Sequence, residues 1–194
     1  MRVNWDLSRA AAGVNALLER ARNRIHIELL EISPEDAQGI PDVEVDFFDG
    51  PVLDAGMWSP VVGVIYLNKE ILDQSGAAAW EDIIAHEVAH VLQDHFFPGG
   101  RKHHDRRWKR IAEWLGAKPI PEHHYPHDHL CMKYPDKFFL YTDSSGKNWV
   151  WLTKRQHSIA KKSHYVIKDQ KNPRKELIAH HRPDLVERIR RITS

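Results

Sequence analysis

An α+β fold is predicted from three features of this 194-residue sequence. Helical periodicity dominates the first 120 residues, two short β-branched runs interrupt it, and a pair of aromatic-rich runs flanks a polar turn near residue 145. Leu7 to Ile27 reads as the first helix, with Ala10, Val14, Leu17, Leu18 and Ala21 spaced by threes and fours. Ser33-Pro34 and Gly39-Ile40-Pro41 break that pattern. Val43 to Phe48 alternates as a strand does, and Gly63 to Asn68 (GVIYLN) is expected to pair with it. Asp49-Gly50-Pro51 and Trp58-Ser59-Pro60 mark the turns or loop between them.

Ala77 to Gln93 carries the clearest helical pattern, through Trp80, Ile83, Ile84, Val88, Val91 and Leu92, and Phe97-Pro98-Gly99-Gly100 ends it. Asp105 to Leu115 forms a further helix with Trp108, Ile111, Ala112 and Leu115 on one side and Gly116 as its C-cap. Composition then changes. Pro119, Pro121, Pro126 and Pro135 punctuate a histidine-rich connector. Phe138 to Thr142 and Trp149 to Thr153 make a β-hairpin around the polar turn at 143–148. His164 to Lys168 adds a strand, and a basic helix from about Leu177 to Ile192, with Pro183 near its start, closes the chain. The domain boundary is expected at 118/119, between a core of residues 1–118 and a small β-containing appendage of residues 119–194.

Apolar residues make up 42% of the chain, enough for a packed core, yet no run approaches the roughly 20 residues of a membrane span. Met1 to Ala10 has no apolar signal-peptide core, so a cytoplasmic location is expected, with association to a nucleoid or residence in a viral host's cytoplasm left open. Cys131 is the single cysteine, which excludes an internal disulfide and a thiolate-rich metal site. A tightly held metal must therefore use histidine and carboxylate, and the chain has 14 histidines. Residues 1–100 carry 6 Lys/Arg against 17 Asp/Glu, and residues 101–194 carry 22 against 10, so the halves sit at −11 and +12. That split favours a basic face toward an anionic partner, nucleic acid first.

The chemistry-bearing motif is HEVAH, His86 to His90. Two histidines four apart share a helix face and can bind one zinc ion, and Glu87 beside them can take a proton from water. Zinc needs a third protein ligand, and the extended pattern that supplies it from the same segment is absent, because Gln93 and Phe96 stand where it would need other residues. His103, His104, Glu113 and the cluster His123, His124, His127 and His129 are the candidates. Tyr125, His123, His124 and His127 are loop candidates for stabilising an oxyanion.

From about Val43 to Leu115 the chain resembles the SprT-like family of zinc metallopeptidases, which includes proteases acting on DNA-bound proteins. The resemblance rests on GVIYLN before the motif helix, on HEVAH, and on HDRRWKRIAEWLG, His104 to Gly116. It implies a zincin-like minimal metallopeptidase core, Zn2+ held by His86, His90 and His104, Trp108 packed behind the site, and Glu87 as catalytic base. Asp105 stands where the family usually has glycine. Relatives often carry a zinc ribbon after the core. Here the cysteines are missing, and Phe138, Phe139, Tyr141, Trp149, Val150 and Trp151 are expected to supply apolar packing instead.

The function so implied is a zinc-dependent endopeptidase acting on DNA-associated or DNA-crosslinked proteins. The alternative is a nucleic-acid-binding or interaction protein with a structural zinc and no proteolysis. The partners expected are a protein substrate and DNA, single- or double-stranded, bound without sequence preference, and no membrane. Lys154, Arg155, Lys161 and Lys162 are the candidate phosphate contacts, and Trp149 and Trp151 the candidate base-stacking residues.

Overall fold

The computed structural model describes residues 5–29, 32–99, 103–120, 125–162, 165–169, 171–172 and 174–186. The chain divides into two compact units, Met1–Tyr125 and Pro126–Ser194. The division falls later than 118/119 because the connector is still tied to the first unit. The backbone N–H of Lys118 and the hydroxyl of Tyr125 both donate to the buried carboxylate of Asp82, at 2.9 and 3.2 Å.

The first unit is a helical layer on a three-stranded sheet. Helix α1 (Leu7–Glu28) starts at Asp6, whose side chain accepts the Arg9 N–H, and it buries Ala10, Val14, Leu18, Ala21 and Ile25 along one stripe. A short helix α2 (Pro34–Gln38) follows, capped by Ser33 with proline in its first turn. Strands β1 (Glu44–Phe47), β2 (Gly56–Ser59) and β3 (Val64–Leu67) order as β1-β3-β2, with β3 parallel to β1 and antiparallel to β2. The segment between the two expected strands thus contains a strand of its own, the edge strand β2. Asn68 caps α3 (Lys69–Ser75), and Gly76, at φ 87°, turns the chain into α4 (Ala77–Phe96). Helix α4 is buried nearly all round: Trp80, Ile83, Ile84, Val88, Val91 and Leu92 meet the core while His86 and Glu87 are buried with them. Asp105 caps α5 (Arg106–Leu115), which buries Trp108, Ile111, Ala112 and Leu115 and stops at Gly116 in the left-handed region.

In the second unit, α6 (Asp128–Lys133) precedes the expected hairpin, β4 (Phe138–Thr142) and β5 (Trp149–Thr153). Helix α7 (Lys154–Ala160) opens on a capping box in which Thr153 and Gln156 exchange hydrogen bonds. Strands β6 (Tyr165–Lys168) and β7 (Glu176–His181) complete an antiparallel sheet of order β5-β4-β7-β6. The expected basic helix from Leu177 is therefore corrected at its start. Leu177, Ile178 and Ala179 pair with Ile167, Val166 and Tyr165, and a single 3-10 turn at Pro183–Leu185 follows. Residues 187–194 lie outside the described residues. Pairing along β6 satisfies the backbone groups that a short, isolated helix would leave to its own ends.

The buried residues of this unit include a histidine among aromatic rings. His157 is buried, stacks on Phe139 at 3.8 Å, and shares a 3.1 Å hydrogen bond with the Tyr141 hydroxyl, with the His181 ring 4.8 Å away. Burial, then Lys161 and the neighbouring imidazole, hold the His157 pKa below the ordinary histidine value; burial and Lys161 do the same for His181, against Asp184. A base whose folded pKa is depressed stabilises the fold above its unfolded pKa of about 6.5 and loses that contribution as pH falls below it. Protection factors of the Leu140 and Leu152 amides in the full chain, corrected for the intrinsic exchange rate at each pH, should therefore fall between pH 7 and pH 5. His157→Phe should flatten that dependence, and an equally steep profile in the variant would remove His157 as its source.

Candidate metal centre

Helix geometry places His86 and His90 one turn apart on α4, and the turn after Phe97 returns the chain so that His104 meets them just before α5. His104 Nε2 lies 3.0 Å from His90 Nε2 and 3.3 Å from His86 Nε2. Each of the three offers one nitrogen within 4.8 Å of the others, so they lie close enough to hold a metal ion. The spacing fits. Ligand nitrogens at 2.0–2.1 Å from a tetrahedral zinc are separated by about 3.3 Å. Burial, followed by the charges of His86, His104 and His103, pushes the His90 pKa down to about 3. The imidazole is thus neutral at physiological pH, as a ligand must be.

Trp108, fully buried, forms the back wall. Its ring centroid lies 4.7 Å from that of His86, 5.3 Å from His90 and 4.5 Å from His104. Asp105, the departure from the family's glycine, is the N-cap of α5. Its Oδ1 accepts from the Arg107 and Trp108 N–H groups at 2.8 and 3.0 Å, and from Gln93 Nε2 at 3.2 Å.

Glu87 is 4% exposed. Its Oε2 accepts the backbone N–H of Trp58 on β2 at 2.8 Å. Burial pushes the Glu87 carboxyl up to about 8, the Trp58 N–H opposes that shift, and Asp54 adds to it. The strand comes this close because Gly56 has no side chain. A Cβ there would lie 2.7 Å from Ile83 Cγ2 and 2.8 Å from Glu87 Oε1. The Trp58 indole N–H, donated to Asp94 at 2.9 Å, ties β2 to α4 a second time. Gly56 and Trp58 are not singled out by sequence, since a turn signal at Trp58-Ser59-Pro60 conceals the strand.

The other candidates separate. His103 is exposed, with its ring 6.1 Å from His90, and Glu113 is exposed on α5. His123 and His124 lie outside the described residues. His127 and His129 belong to the second unit, and the Tyr125 hydroxyl is taken by Asp82. Among the described residues, His86, His90 and His104 form the one cluster of three or more metal-ligating side chains. Cys131 is fully buried, and burial raises its thiol pKa.

In the second unit, Lys154 and Arg155 on α7, and Lys161 and Lys162 after it, are exposed. Trp149 is half-buried, whereas Trp151 is only 5% exposed, and both indoles donate to Asp128 Oδ1, at 3.0 and 2.7 Å. The base-stacking assignment of Trp151 is therefore corrected: its faces are spent on the core. A pocket of about 480 Å³ in the first unit is mainly apolar, but one of about 610 Å³ in the second is basic. It lies between the β4–β5 and β6–β7 turns and is lined by Lys147, Lys171, Lys175 and Trp149. The register puts it at the opposite end of the sheet from α7. Lys171 and Lys175 are far from Lys147 in sequence, and the sheet topology brings the three together.

No helix among the described residues is long and apolar enough to cross a membrane. No match was found among curated proteins or solved structures. A family model does match: the SprT-like family, over residues 1–129, a span that holds α1 to α5, the HEVAH helix and His104. That match covers most of the chain, and the protein belongs to the SprT-like family.

Proposed function

We propose that the protein is a zinc-dependent endopeptidase acting on DNA-associated or DNA-crosslinked proteins. The observation that carries this reading is the convergence of the His86, His90 and His104 Nε2 atoms on the helix that also presents Glu87. Three imidazoles, with no fourth metal-ligating side chain in the cluster among the described residues, match the ligand set of zinc in its catalytic form. When bound, zinc supplies Lewis-acid activation of water and of the scissile carbonyl.

The remaining steps belong to the chain. Glu87 accepts the proton of the attacking water and delivers it to the leaving amine. Its anion is favoured by the Trp58 N–H and would be favoured further by the charge of a bound zinc ion, against the burial that opposes it. Trp108 holds the three rings in register and keeps water from their rear.

Nucleic-acid binding is supported by charge. Residues 1–125 carry a net −7 and residues 126–194 a net +8. Within the second unit the lysine-lined pocket is the surface we assign to phosphates. Among the described residues, no carboxylate lies within ion-pair distance of Lys147, Lys171 or Lys175. The two acids lining the pocket are occupied: Asp143 by Ser145, Asn148 and the Lys147 N–H, and Asp169 by the Lys171 and Asn172 N–H groups. A peptidase joined in one chain to a DNA-binding unit meets DNA-bound proteins at raised effective concentration.

The test pairs metal analysis with proteolysis. Purified protein should hold one zinc, His104→Ala should lose it, and a DNA-bound protein should be cleaved faster when DNA is present. Zinc without cleavage would favour the interaction-protein alternative, and no zinc would end both readings. Anisotropy titrations with a single-stranded oligonucleotide address the pocket separately. Alanine at Lys147, Lys171 and Lys175 should flatten the slope of log K against log salt by about 0.7 for each phosphate no longer neutralised. An unchanged slope would take these lysines out of the interface.

A further inference from the structure

The third histidine comes from a turn and not from a helix, yet its Nε2 lies 3.0 and 3.3 Å from the Nε2 atoms of His90 and His86. The structure carries a device that accounts for this. Gln93 lies on α4 three residues beyond His90 and is 4% exposed. Its amide Nε2 donates to Oδ1 of Asp105, the residue directly after His104. The same oxygen accepts the Arg107 and Trp108 N–H groups and so starts α5. One carboxylate oxygen therefore joins the helix bearing two of the histidines to the first turn of the helix that follows the third.

We propose that Gln93 and Asp105 are positioning residues that clamp His104 in its ligand position before metal arrives. The proposal rests on the reading of the three histidines as a metal site and adds to it the part that sets its affinity. Without the clamp, metal binding must itself order the turn, and that ordering is subtracted from the binding free energy. The charge on Asp105 strengthens its bond to the buried Gln93 amide. Trp108 extends the effect, because the N–H that Asp105 caps belongs to the residue whose ring backs all three imidazoles.

Zinc affinity of the metal-free protein, measured by competition with a chromophoric chelator, is the direct readout. Gln93→Met keeps the approximate volume and the Asp105 bonds that start α5, and removes the side-chain donor of the clamp. Asp105→Gly removes its acceptor, while glycine remains a tolerated N-cap. Each should weaken zinc about 10- to 100-fold, the usual size of an outer-shell effect, with little change in melting temperature. Asp105→Asn retains an acceptor at Oδ1 and should stay near the parent affinity. The double variant Gln93→Met/Asp105→Gly should be no weaker than the poorer single variant, because both remove one interaction. Parent-like zinc affinity in Gln93→Met, or losses that multiply in the double variant, would overturn the clamp while leaving the metal site standing. A parent protein that binds no zinc would instead remove the metal site and the clamp together.

Discussion

Glu87→Gln should leave one zinc bound and lower peptide hydrolysis by about 10²- to 10⁴-fold, the range associated with losing a positioned general base. The substitution is nearly isosteric, which matters at this position. Glu87 is packed against Gly56 so closely that even a Cβ on the glycine would collide with it. Glutamine can still accept the Trp58 N–H through its amide oxygen, so β2 and the metal ligands should stay where they are. It cannot take a proton from water. Zinc content by atomic emission and turnover of a protein substrate are the two measurements. Loss of both would mean that Glu87 supports the fold or the metal, and retained turnover would remove it as the base. Gly56→Ala should act at the same point through geometry, since a methyl group 2.8 Å from Glu87 Oε1 must displace either the strand or the carboxylate.

The second large effect belongs to Trp108. The side chain is fully buried, and its ring packs against all three histidines. Trp108→Ala should cost about 3–5 kcal/mol of stability, as large-to-small substitutions of buried tryptophan do, and should weaken metal binding as well. Trp108→Phe retains an aromatic wall and should lose less of both. Chemical denaturation of the metal-free protein measures the packing contribution alone, because zinc would otherwise add its own binding energy to the apparent stability. If the alanine variant bound zinc as tightly as the parent, the histidines would be held by their own elements and the indole would be packing only.

Much of the site was legible because helices impose a fixed period. His86 and His90 can share a face only if Ala77 to Gln93 is helical, and the apolar residues around them established that pattern. The same holds for Gly116, whose C-cap chemistry ends α5, whereas Asp105, expected as the first residue of that helix, is its N-cap. Elements that failed to show were short or depended on distant partners. Strand β2 is four residues between prolines 51 and 60 and carries no alternation of its own; pairing with β3 and packing on α4 create it. Strand β7 read as a helix because Leu177, Ile178 and Ala179 suit either state, and β6 decided between them. Trp149 and Trp151 look alike in sequence, but α6 supplies the Asp128 that holds both and leaves only Trp149 at a pocket.

The amino-acid order alone determined the residue types of the candidate metal centre, the helix that carries two of its histidines, and the charge division between the two ends of the chain. Tertiary structure decided which later histidine joins that pair, which backbone N–H restrains the acid between them, and which lysines gather around one pocket. The physical reason is distance along the chain. Spacing within a helix is set by local hydrogen bonds, whereas the meeting of His104 with α4, of Trp58 with Glu87, and of Lys147 with Lys171 and Lys175 depends on turns and sheet register.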